Sequence, residues 1–140
     1  MKWQPYARAY AATALVFLAL DALWLGLMAD RLYRPAIGHL MLPRFALAPA
    51  LAFYAIYIAG IVVFAVAPAL PRRAWPAALG RGALLGLLAY ATYDLTNQAT
   101  LQGWPWRLTL ADLAWGTTAT GIAAAAACRL AAPAGAAAPR

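Results

Sequence analysis

The chain has 140 residues, of which 66% are hydrophobic and only 11% charged. Soluble domains are about a quarter charged, so this composition excludes an ordinary water-soluble fold and reads as an integral membrane protein of one domain. The net charge of +7 rests on arginines scattered over the segment ends, without a run or stripe, which argues against nucleic-acid binding. A single cysteine, Cys128, excludes an intrachain disulfide.

The predicted elements are four apolar stretches, at about 9–28, 47–67, 79–101 and 108–130. Each is about 20 residues, the length a helix needs to cross ~30 Å of hydrocarbon. No stretch alternates with the period of two that a barrel strand requires, so the expected fold is all-α: an antiparallel four-transmembrane-helix bundle. Lys2 and Arg8 precede the first stretch as they would in a signal peptide, but the run is too long and lacks a convincing cleavage site. It reads as a retained first span.

The first loop, 30–46, carries Leu32, Ile37, Leu40, Met41 and Phe45 among Arg31, Arg34, His39 and Arg44. Pro35 and Pro43 bracket a short helix expected to lie on or dip into the membrane interface. Pro68 and Pro71 close the second span. Gly82 and Gly86 on the third form G-x-x-x-G, which permits close helix approach and is expected to pack helices within the monomer. The third loop holds Trp104 and Trp106, read as interfacial anchors. The tail, 131–140, is rich in Ala and Pro and is expected to be disordered.

Basic residues set the orientation. Lys2, Arg8, Arg72, Arg73, Arg81, Arg129 and Arg140 fall on one side and Arg31, Arg34, Arg44 and Arg107 on the other. The richer side is the cytoplasmic one, which puts both termini in the cytoplasm and the first and third loops outside.

All four acids are aspartates, and Asp21, Asp94 and Asp112 lie inside the apolar stretches. A carboxylate in a bilayer core costs several kcal/mol by the lower estimates, so three of them invite a functional explanation. Counting 1.5 Å per residue from the outer ends places Asp21 at ~12 Å depth, Asp94 at ~10 Å and Asp112 at ~6 Å. Tyr54 and Tyr57 on the second span fall at ~10 and ~15 Å. Steps of three and four put Gly82, Gly86, Tyr90, Tyr93, Asp94 and Asn97 on one face of the third span. Phe17, Asp21, Trp24 and Met28 share a face of the first span; Thr109, Asp112, Trp115 and Gly116 share one of the fourth.

Turned inward, these faces make a polar pocket of Asp21, Asp94, Asp112, Asn97, Tyr54, Tyr57, Tyr90, Tyr93, Trp24 and Trp115. Three acids in a low-dielectric zone must share protons, bind a cation, or pair with Arg31, Arg34 or Arg107 from the rim. Tyrosine, tryptophan and asparagine donors would satisfy those left charged. The plain alternative is that the acids only tie helices together. Asp112 in particular could be a first-turn acid facing the positive end of its helix. His39, the only histidine, is a candidate proton carrier at the surface. No metal site or cofactor is expected, since one histidine without a cysteine partner makes no zinc set and no phosphate loop or nucleophile–base pair occurs.

The segments D-A-L-W-L-G (21–26), Y-R-P-A-I-G-H-L-M (33–41), F-Y-A-I-Y-I-A-G (53–60), A-Y-A-T-Y-D-L-T-N-Q-A-T-L-Q-G-W-P (89–105) and D-L-A-W-G-T (112–117) together resemble a family of small four-span bacterial membrane proteins, domain of unknown function 2177. The resemblance covers about residues 6–126 and implies a bacterial inner-membrane address without an established activity.

These observations leave three functions open. The first is a protein that binds or moves a proton, a cation or a small polar ligand. The second is a membrane-embedded enzyme acting on lipid or acyl chains by aspartate acid–base chemistry. The third is an accessory subunit with a structural polar core. The expected partners are the lipid bilayer and, for a chain this small, a second copy or a larger membrane complex.

Overall fold

A computed structural model of the chain describes residues 3–131. Lys2, Arg140 and all of the tail beyond Ala131 lie outside the described residues; Ala131 is the last residue of the final helix. Among the described residues the structure is helical throughout and holds no strand.

Helix α1 spans Gln4–Met28, with Pro5 in its first turn, where the missing N–H costs nothing. The break expected near Ala29 does not occur. A π-helical segment, Ala29–Tyr33, leads directly into the short helix α2, Arg34–Ile37, and a 3₁₀ turn, Gly38–Leu40. The sequence explains the change of winding. Pro35 has no N–H and its ring crowds the carbonyl one turn earlier, so the helix widens ahead of it. The helical run ends only at Leu40, short of Pro43.

Helix α3, Leu47–Ile61, continues as a second π-helical segment, Val62–Val66, and stops before Pro68. A 3₁₀ turn, Leu70–Arg72, and Arg73 in the left-handed region (φ 49°) reverse the chain. Helix α4, Trp75–Thr100, starts four residues before the expected span, with Pro76 in its first turn. Gly103 (φ 79°) and Pro105 then turn the chain into α5, Trp106–Ala131.

Packing is densest between α4 and α5, which run antiparallel. Gly82 faces Thr120 and Ala124, and Gly86 faces Gly116. A methyl group added at Gly82 would come within 2.7 Å of the Ala124 Cβ and 2.8 Å of the Thr120 carbonyl oxygen. The G-x-x-x-G pair therefore brings two helices of one chain together, as expected. At the opposite end of this pair, the Trp104 indole donates to Thr109 (3.1 Å), Thr109 to Gln98 (2.9 Å), and the Gln98 amide back to the Trp104 carbonyl (2.8 Å). Trp104 is thus buried (6% exposed) and holds the α4–α5 turn together, correcting its reading as an interfacial anchor; Trp106 does remain exposed.

Helix α1 packs on the other side of α5. Helix α3 buries only Tyr57, Ile58 and Ile61, and its π-helical end supplies Val62, Ala65 and Val66 to the core. Outward from this core the surface is apolar: Leu15, Leu51, Ile56, Phe64, Leu84 and Leu110 are all largely exposed. Such a surface suits lipid and would drive association in water.

Two helical runs are long and apolar enough to cross a membrane, Gln4–Leu40 and Leu47–Val66. Helices α4 and α5, at 26 residues each, are long enough. Their apolar character is diluted by the glycines and threonines with which they face one another.

Candidate functional site

The three inward aspartates lie on α1, α4 and α5, with α5 packed between the other two helices. Asp21 sits on the buried stripe of α1 with Phe17 and Thr13. It is 8% exposed and accepts two hydrogen bonds, one from the Tyr54 hydroxyl on α3 and a long one (3.4 Å) from the Trp115 indole on α5. Asp112 is 4% exposed and accepts from the Tyr33 hydroxyl. It stands in the second turn of α5, so the reading as a first-turn acid is corrected: it is enclosed by neighbouring elements and not held by its own helix end.

Tyr33 is the residue that the sequence did not single out. Its hydroxyl also accepts from the Trp24 indole at 2.9 Å. Trp24 in turn stacks on Trp115, with ring centroids 4.5 Å apart and planes 6° from parallel. The stack joins the two acid sites, with Trp115 reaching Asp21 and Trp24 reaching Asp112 through Tyr33. The π-helical winding of Ala29–Tyr33 is what carries a residue of the presumed loop back over the helix bundle. The signal available was the Y-R-P-A-I-G-H-L-M block itself, which counting in spans and loops assigned to the membrane surface.

Asp94 differs from both. It is wholly buried, and neither carboxyl oxygen has a hydrogen-bond partner among the described residues. The Asp112 carboxyl lies beside it, near enough for the two groups to share a hydrogen bond when one carries a proton. Two carboxyl groups held side by side away from water repel unless a shared proton, a bound cation or a donor intervenes. Unpaired buried polar atoms are rare, and each asks for an explanation.

A partly open cavity of about 280 Å³ lies in front of Asp112, lined also by Phe53, Ala89, Tyr90 and Tyr93. The Tyr90 ring covers Gly116, where any side chain would collide with it. Tyr93 is half-exposed and meets Trp104 edge-on, with centroids 5.7 Å apart.

The remaining expected residues lie further off. Tyr57 bonds Thr120 at 2.9 Å and packs edge-on against Phe17, so it joins α3 to α5 and leaves the acids to Tyr54. Asn97, half-buried, sits about one turn beyond Asp94 and does not line the cavity. His39 is exposed on the 3₁₀ turn and makes no hydrogen bond to the aspartates. Arg31 and Arg107 are exposed, and Arg34 pairs at the surface with Asp30 (3.0 Å), so these arginines do not neutralise the buried acids. Hydroxyl and indole groups serve instead. No group of three or more His, Cys, Asp or Glu residues able to hold a metal ion occurs among the described residues. The three carboxyls are strung along the interface and do not surround a point.

Apolar helices enclosing a row of acids, with an apolar exterior, define a helical membrane protein with a polar interior. The chain belongs to the family described as "Predicted membrane protein (DUF2177)", whose model matches residues 6–129, a range that takes in every aspartate and all of the donors above. The description assigns no activity. No curated protein and no solved structure matches the chain.

Proposed function

We propose that the chain is an antiparallel four-span bundle of the bacterial inner membrane, with both termini in the cytoplasm. In this reading its aspartate–tyrosine pocket lies in the periplasmic half and binds or moves a proton, a cation or a small polar ligand. The observation that carries it is Asp94, buried and unpartnered beside Asp112. A purely structural acid would be expected to hold a donor across a helix interface, as Asp21 holds Tyr54. Asp94 holds no hydroxyl, indole or amide donor and has only the Asp112 carboxyl within reach, while that neighbour opens on a cavity. A chain this small would carry a ligand across the membrane only with a second copy or a partner.

A second reading follows from the unequal pair. Asp112 accepts from a tyrosine hydroxyl and Asp94 has no such donor, the kind of asymmetry by which paired carboxyls divide the roles of acid and base. That favours a membrane-embedded enzyme acting by proton transfer on lipid or acyl chains.

Infrared spectroscopy of the full chain in lipid tests the common core of both readings. A carboxyl band that responds to pH or to added organic or inorganic cations, and that disappears in Asp94→Asn, is expected. A carboxyl region unmoved by any of these, in protein that remains folded, would overturn the pocket.

A further inference from the structure

The cavity's walls say more than its acid does. Helix α4 packs along α5 but meets the second long helix chiefly through the π-helical end Val62–Val66, and α3 itself stands away from α4. The gap between them is the cavity, with Phe53 of α3 and Tyr93 of α4 at its mouth, 47% and 54% exposed. Both mouth residues stand inside their helices and are exposed on the apolar surface that also carries Ile56, one turn along α3 from Phe53, so the mouth opens sideways. In a membrane-spanning bundle that face meets acyl chains, and whatever enters comes out of the bilayer.

The lining is graded. Phe53, Ala89 and the rings of Tyr90 and Tyr93 form apolar walls, and Asp112 is the one charged group, with the unpartnered Asp94 behind it. Among the described residues no basic side chain lines the cavity. A phosphate or carboxylate head would meet repulsion there, whereas a positive head would offset the repulsion between the two acids and supply the missing donors. The volume, about 280 Å³, is near the lower end for ligand pockets, which run roughly 300–1,000 Å³. It suits a headgroup and the start of one chain, with the rest of the chain left in the membrane.

We propose that the α3–α4 gap is a lateral portal for a single-chain amphiphile with a cationic amine head, seated with the amine on Asp112 and Asp94 and the chain passing between Phe53 and Tyr93. The proposal rests on the pocket reading above and names the ligand class for it.

Native mass spectrometry of the full chain in detergent, titrated with hexadecylamine, hexadecanol and butylamine, tests it. Hexadecylamine is expected to bind at least tenfold more tightly than either of the others, and to lose that advantage in Asp112→Asn. Because Asp112→Asn weakens a buried charge-assisted bond from Tyr33 and could fail to fold, Ala89→Phe is the second variant. It fills the cavity, keeps every acid, and should abolish hexadecylamine binding. Butylamine binding as tightly as hexadecylamine, still dependent on Asp112, would overturn the lateral portal and leave the acid pocket standing. Equal binding of hexadecanol and hexadecylamine would overturn the cationic head. Hexadecylamine binding that neither variant changes would be surface adsorption and would overturn the proposal as a whole. The infrared response of Asp94 judges the pocket independently of all three.

Discussion

The Tyr33 hydroxyl donates to the Asp112 carboxylate across 79 residues of chain, and the Trp24 indole donates to the same hydroxyl. One phenol thus ties the C-terminal end of the first helical run to α5 and caps the acid that faces the cavity. Tyr33→Phe removes the donor while keeping the ring, and leaves a buried carboxylate and an indole N–H without it. A loss of about 1–3 kcal/mol is expected, read as a lower thermal midpoint in detergent, together with a changed Trp24 emission. An unchanged midpoint would show that the bond contributes nothing to holding the run in place.

Asp94 should behave in the opposite sense. Its carboxyl is buried without a hydroxyl, indole or amide donor, so Asp94→Leu, apolar and with the same number of heavy atoms, removes an unmet desolvation cost. The variant is expected to gain about 1–3 kcal/mol in thermal unfolding while losing the carboxyl infrared response. A clear loss of stability would instead mark Asp94 as a structural tie.

Glycines separate by what surrounds them. A Cβ at Gly86 would run into the Gly116 backbone, while at Gly80 it would meet nothing within 4 Å. Gly86→Ala is expected to cost about 1–3 kcal/mol through forced separation of α4 and α5. Gly80→Ala should be neutral or gain up to about 1 kcal/mol from helix propensity. Thermal unfolding of the two variants side by side checks the contrast, and equal effects would refute the close approach at Gly86.

Cys128 is the only thiol and is 0% exposed, packed in the core with Ala124 and Ala127. A maleimide should leave the folded protein unlabelled and modify it fully once denaturant opens the bundle. Rapid labelling of the native protein would place α5 elsewhere than at the centre.

Much of the fold was legible because it depends on local properties. Apolar runs and prolines bounded α3, α4 and α5 to within a few residues, since a proline ends or starts a helix wherever the chain later packs. The first helix was misjudged at its C-terminal end because a proline can be accommodated by π winding as well as by a break, and the choice depends on what the continuing helix gains. That gain is Tyr33 on Asp112, a contact between distant segments. Trp104 was misread for a related reason: its partners, Thr109 and Gln98, come into reach only when the turn between α4 and α5 closes.

The sequence by itself determined that the chain is helical and apolar, and that Asp21, Asp94 and Asp112 fall on inward faces. A period of 3.6 settles the face without reference to other helices. Only the tertiary structure decided the pairing: Tyr54 for Asp21, Tyr33 for Asp112, and no donor for Asp94. Hydrogen bonds form over about 3 Å, a far finer tolerance than depth counting supplies, and two π-helical turns shift the register within that tolerance.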